Sequence, residues 1–195
     1  MSELPQEKDK KKKAVINFLT LLKEKQCTES DEYAMLIDTI ISIDNTVDAV
    51  LAKADLLRVK KKYKEAIAVF RTALEMADND TLRGDIKLSV LEIQYTNLSS
   101  YKSAYNTALS ISGANRSKAL MVASNCVAKL ANTCGSSTFD RKCNYYYAAQ
   151  LATNAGESSL AAKYRENCPS SDEIFSNNSP AQVTLSCWGV TVDIK

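Results

Sequence analysis

The chain has 195 residues, enough for one ordinary domain, and its 45% apolar and 25% charged residues are globular values. It has no histidine, which excludes His-based metal ligation, Ser-His-Asp triads and Cys-His dyads. With 5 glycines and 3 prolines it is a poor candidate for a turn-rich sandwich or barrel, and a net charge of +2 demands no polyanionic partner.

Residues 1–9 read as a solvated, disordered leader. No apolar run approaches the roughly 18 residues of a membrane span, so no membrane insertion is expected. The N-terminus also lacks a small-residue cleavage site, so no signal peptide is read in it. From residue 10 to 168 the pattern is helical. Ala14, Phe18, Leu21 and Leu22 recur at one helix face. Ser30 is placed to cap a second helix carrying Tyr33, Leu36, Ile37, Ile40 and Ile41. Asn45 or Thr46 caps a third with Val47, Val50, Leu51, Ala54 and Leu57.

Self-similarity is the informative feature. Residues 46–78 place Ala54, Leu57, Tyr63, Ala66, Phe70 and Ala73 where a helix–turn–helix unit needs small and bulky residues. An offset of 38 carries Tyr63 to Tyr101, Ala66 to Ala104, Phe70 to Ala108 and the turn at Lys60–Lys62 to Leu98–Ser100. A constant offset within one chain predicts units that bury a core only by stacking. Residues 115–133 continue helical, and a loop at Gly135 leads to a Tyr-rich helix over about 140–155. Two registers fit that helix, one making it the second of a pair and the other the first.

Cys168-Pro169 ends the helical region, because proline cannot supply the next backbone donor. Ser170 and Glu173 predict a capping box opening a short helix through Phe175. Period-two alternation at Val183, Leu185 and Cys187, then at Val190, Val192 and Ile194, predicts a β-hairpin turning near Trp188-Gly189. Residues 169–195 thus form a separate tail of short helix and hairpin.

Little catalytic chemistry is legible. The five glycines are isolated, so no phosphate loop exists. No cofactor is expected. Asp78-Asn79-Asp80 lacks the glycine and bidentate glutamate of a calcium loop, and no C-x-x-C supports a metal or redox pair. The lysine runs at 8–13 and 60–64 read as solvated segments, and no arginine–aromatic interleaving suggests nucleic acid. Neither an enzyme nor a nucleic-acid binder is expected. Tyr145, Tyr146 and Tyr147 point about 100° apart, so at least one is expected at the surface or in a contact patch.

Six cysteines allow fifteen pairings. A hairpin without a core of its own needs an anchor, and a bridge between Cys168 and Cys187 would supply one. Cys126, Cys134 and Cys143 are competing partners, and six reduced thiols are the alternative.

Tyr63 to Glu75, read as Y-x-x-A-x-x-x-F-x-x-A-L-E, resembles the second helix of a tetratricopeptide repeat. The match departs at Lys61, where glycine is usual, at Asp78, where proline is common, and in its period of 38 rather than 34. The tail, with Cys168-Pro169 before Phe175 and Cys187-Trp188-Gly189 before Val192, resembles bacterial repeat proteins with exported relatives. The first resemblance implies an all-α, right-handed TPR-like solenoid of about eight helices over residues 10–168, closed by the C-terminal hairpin. It also implies a concave groove holding a peptide or partner protein. Its positions map to Asp48, Leu51, Asp55 and Arg58 on one helix and to Ile86, Ser89, Ile93, Thr96 and Asn97 on the next. The tail resemblance favours an extracytoplasmic location, with the cytoplasm as the alternative. The expected function is a non-catalytic interaction scaffold, monomeric or weakly self-associating. The alternative is an assembly element using the hairpin edge or the Tyr-rich helix.

Overall fold

The structure, a computed structural model, describes residues 5–194. Among them, ten α-helices precede one antiparallel hairpin. The helices are α1 Pro5–Glu24, α2 Asp31–Ile43, α3 Val47–Val59, α4 Tyr63–Met76, α5 Asp80–Glu92, α6 Tyr101–Leu109, α7 Arg116–Leu130, α8 Thr138–Asn154, α9 Ser158–Arg165 and α10 Ser171–Ser176. The chain divides into two units, Met1–Ile86 and Lys87–Lys195, with the division inside α5.

In the first unit, α1 starts at Pro5, so residues 5–9 of the expected leader are helical; residues 1–4 lie outside the described residues. The helix also turns a different face inward than expected. Val15 is buried with Leu19 and Leu22 against α2, while Phe18 and Leu21 are 59% and 47% exposed. Both stripes have helical spacing, so periodicity alone does not choose between them. The inward one continues to Lys12, whose ammonium pairs with the Asp44 carboxylate just past α2. That contact and the apolar seam of α2 at Ile37, Ile40 and Ile43 select the Val15 face.

The expected caps form. The Ser30 hydroxyl accepts from the Tyr33 amide at 3.1 Å, and that of Thr46 accepts from Ala49 at 3.3 Å, each satisfying one orphan donor of a first turn. Along α3 and α4, Ala54, Ala66 and Ala73 are fully enclosed, and Phe70 is 2% exposed between the paired helices.

One turn conformation recurs three times. Lys61, Ser99 and Gly156 lie in the left-handed region at φ 59°, 48° and 82°. Each is followed by a residue near φ −90° and ψ +60°, namely Lys62, Ser100 and Glu157. The amides of these three residues reach back to the carbonyls of Leu57, Gln94 and Ala152 at 2.8, 2.8 and 2.9 Å, closing the preceding helix. Five residues past each left-handed position stands a fully buried alanine, Ala66, Ala104 or Ala161. The first two turns are 38 residues apart, the offset legible in the sequence. The second closes a π-helical segment, Ile93–Asn97, that extends α5. The third follows α8, so α8 stands before its turn as α3 does before its own.

The second unit packs α6 on α7, α7 on α8 and α8 on α9. Its core joins Ala104, Ala108, Ala119, Ala123, Cys126, Val127, Cys143, Ala148 and Ala152 to Leu185, Trp188 and Val192 of the hairpin region. A Ser170–Glu173 capping box opens α10 as expected. Strands β1 Gln182–Leu185 and β2 Val190–Asp193 pair antiparallel, with Val183 opposite Val192 and Leu185 opposite Val190. Gly189 closes the connection at φ 67°, which glycine adopts without steric penalty.

The enclosure of Phe70 makes a direct test. Phe70→Ala should lower unfolding free energy by about 3–5 kcal/mol in urea titrations, through lost burial and an unfilled cavity. A loss below about 1 kcal/mol would show that the α3–α4 pair is packed otherwise.

Candidate functional site

The residues that the repeat resemblance assigns to a groove divide by burial. On α3, Asp48, Asp55 and Arg58 are exposed and Leu51 is half-buried, while Ala49, Val50, Ala54 and Leu56 face inward. Arg58 Nη2 pairs with Asp55 Oδ1 at 3.0 Å across one helical turn, so the face carries both signs of charge. On α5, Ser89 is half-buried, and Thr96 and Asn97 are exposed in the π segment that extends it. Ile86 and Ile93 are corrections to the expected set. They are 2% and 0% exposed, because with Val90 they form an i, i+4, i+7 stripe that burial turns inward. Neither presents a side chain to a partner.

The most tightly built region is the anchorage of the hairpin. Asn144, on α8, is fully buried and both of its polar atoms have partners. Its Nδ2 donates to the carbonyls of Cys134, Asp140 and Arg141 at 2.6, 3.1 and 3.0 Å. Its Oδ1 accepts from Trp188 Nε1 at 2.7 Å. The Trp188 ring lies 4.5 Å from that of Tyr105, centroid to centroid, and Tyr105 shares a hydroxyl–hydroxyl hydrogen bond of 2.8 Å with Tyr147. Lys102 Nζ sits 4.2 Å from the indole centroid and 5.3 Å from that of Tyr105, and it donates to the Cys187 carbonyl. Burial, reinforced by the bond to Tyr147, pushes the Tyr105 hydroxyl well above its ordinary value.

A disulfide completes the anchor, and its pairing corrects the expected one. Cys187 is bonded to Cys134, with Cα atoms 5.9 Å apart, and Cys168 is a free thiol. The Cys134 loop lies beneath the hairpin turn because Asn144 and a Ser137–Asp140 capping box fix the start of α8 there. Gly135 permits the approach: at φ 137°, a Cβ there would stand 2.7 Å from Asp140 Cβ. Cys27 is an exposed thiol, and the other three are held protonated by burial. Burial pushes Cys126 and Cys143 up to about 12 and Cys168 up to about 11, so all three are protonated near neutrality.

The three consecutive tyrosines are all engaged with the core. Tyr147 is buried, while Tyr145 and Tyr146 are half-buried against it, Tyr145 with its ring 6.3 Å from that of Tyr164. Tyr145 and Tyr146 keep part of their surface in solvent, and Tyr146 borders the cleft beside β2. The other sequence candidates are local structure. Lys60 pairs with Asp31 at 3.0 Å and Lys62 with Glu65 at 3.6 Å. Asn79 Oδ1 accepts from the Leu82 amide at 2.8 Å, so Asp78-Asn79-Asp80 is a helix start. No group of three or more Cys, Asp and Glu side chains among the described residues is placed to hold a metal.

Two measurements check this site. Peptide mapping after alkylation without reduction should return Cys134 and Cys187 linked and Cys27, Cys126, Cys143 and Cys168 alkylated in the unfolded chain. Closing a loop of 53 residues gives about 4 kcal/mol in the chain-entropy model, so Cys187→Ser should lower stability by an amount of that order. The buried thiols set the alkaline limb. Their folded values lie above the ordinary 9.0, so the stability they contribute is complete below about pH 9 and is lost as pH rises toward 11–12. The urea midpoint should therefore fall between pH 8 and pH 10.5; a rising midpoint would contradict the burial of these thiols.

Comparison with known proteins finds no matching family model, no similar curated protein and no similar solved structure.

Proposed function

We propose that the protein is a non-catalytic interaction scaffold of tetratricopeptide-like helical pairs, which holds a peptide or partner protein against the exposed face of α3. The recurrence of one left-handed turn at Lys61, Ser99 and Gly156, each followed by a buried alanine, supports the repeat reading. The observation that carries the non-catalytic reading is electrostatic. Every resolved pKa shift moves its group away from neutrality: Lys12, the tyrosines and the thiols upward, and Asp44, Asp140 and Glu173 downward. General acid–base and nucleophilic catalysis need the opposite displacement, toward the working pH. The exposed face of α3, with Asp48, Asp55 and Arg58 around half-buried Leu51, has the charged rim and apolar centre of a docking surface.

Arg58→Glu tests the location. The change removes an exposed ion pair and sets Glu beside Asp55, so stability should move by no more than about 1 kcal/mol. Crosslinking in producing cells, followed by purification, should recover a protein with the wild type that is depleted with the variant. Equal recovery by both would move the interaction off α3.

A further inference from the structure

Both strands of the hairpin have an open edge, and a cleft borders each. The one beside β1 is small, about 220 Å³, and includes Gly135, Asp140 and Thr184. The one beside β2 is larger, about 400 Å³, and lies between the strand and the α8–α9 region. Its walls include Gln150 and Asn154 of α8, Arg165 and Cys168 at the end of α9, and Val192 and Asp193 of β2.

The direction of the β2 backbone follows from the register. The Ile194 amide donates to the Ala181 carbonyl at 2.9 Å, and Val192 stands opposite Val183. Opposed residues in an antiparallel ladder alternate between exchanging hydrogen bonds and not doing so. Val192 and Ile194 therefore bond toward β1, and Thr191 and Asp193 turn their N–H and C=O groups to the outer edge. No backbone group of a loop or helix among the described residues pairs with them. Such an edge is a template for another strand.

Charge decides what kind of strand. The Asp193 carboxylate keeps its charge and accepts from Gln182 Nε2 at 2.8 Å across the exposed hairpin face, and Arg165 is the cation among the cleft walls. Arg165 Nη2 donates to Thr153 Oγ1 at 3.2 Å, which orients the guanidinium while leaving further donors of its fork for a carboxylate.

We propose that the outer edge of β2 is a strand-addition site for an extended peptide of another protein, which pairs with Thr191 and Asp193 and sets an Asp or Glu side chain against Arg165 in the cleft. Main-chain pairing supplies affinity in this mode, and the side chains at alternate positions supply specificity. The site is separate from the exposed face of α3, so the two surfaces fail independently.

The test begins with a random dodecapeptide library displayed on phage and selected on the full chain. Enriched peptides are synthesised with a fluorescein label and measured by anisotropy. They should carry an Asp or Glu within a run of strand-forming residues. Thr191→Pro deletes an outward-facing donor together with the exposed Thr184–Thr191 hydroxyl contact, which Thr191→Val removes alone as the control, and unchanged Trp188 fluorescence verifies that the hairpin persists. The proline variant should bind tenfold or more weakly. Arg165→Gln should weaken acidic peptides severalfold and not their Gln counterparts, and Arg58→Glu should change nothing. Bound peptide should slow hydrogen exchange at the Thr191 and Asp193 amides. No enrichment over an unrelated protein, or equal binding by the Thr191→Pro variant, overturns the proposal. A dimer in sedimentation that Thr191→Pro dissociates would also overturn it, placing a second copy on the edge. Binding lost with Arg58→Glu but not with Thr191→Pro would overturn it in favour of α3.

Discussion

The hydrogen bond from the Trp188 indole to the side chain of Asn144 is the contact on which the second unit depends. An isolated two-stranded hairpin is marginal in water, and this one has only four residues in each strand. Its order is borrowed from the helices beneath. Asn144 is enclosed completely and makes three donor contacts besides the one it accepts, so removing the indole donor leaves a buried carbonyl oxygen unpaired at a cost of about 1–3 kcal/mol. The same side chain holds the Cys134 loop, which presents Cys134 to Cys187. One amide therefore fixes the start of α8, the loop before it and the turn of the hairpin together.

This arrangement has a functional consequence. A strand edge can recruit another strand reproducibly only if its register and tilt are held by something else. Here the disulfide, the indole and the Lys102 contacts to Trp188 and Cys187 hold the turn end. Leu185 and Val192 bury the inner face of the sheet. The outer face, with its Thr184–Thr191 and Gln182–Asp193 contacts, remains in solvent. The edge is thus presented by a rigid base, and the chain needs no mobile element to display it.

Much of the architecture was legible in the sequence because it rests on local rules. Ser30, Thr46 and the Ser170–Glu173 pair announced helix starts through their capping oxygens, and the hairpin through its period of two. The 38-residue offset was visible because fully enclosed Ala66 and Ala104 stand at the same distance past their turns. What failed did so for non-local reasons. The two apolar stripes of α1 have the same spacing, and the choice between them belongs to α2 and to Asp44. Ile86 and Ile93 were assigned to a surface by family analogy, while their own spacing with Val90 already marked a core face. The cysteine pairing was unreadable because proximity of Cys134 to Cys187 is created by Asn144. That residue left only a faint signal, a lone amide between Cys143 and three tyrosines on a helix otherwise committed to burial.

Hairpin and helices of the second unit form one cooperative body joined at Trp188. Native-state hydrogen exchange followed by NMR at low urea tests it most directly, because the chain has one tryptophan and its indole N–H is a unique reporter. The indole proton and the amides of α8 from Tyr147 to Leu151 should exchange with the same opening free energy and the same dependence on urea. Exchange of the indole through a smaller, urea-insensitive opening, with α8 still protected, would show that the hairpin is a loosely attached tail and would contradict the account.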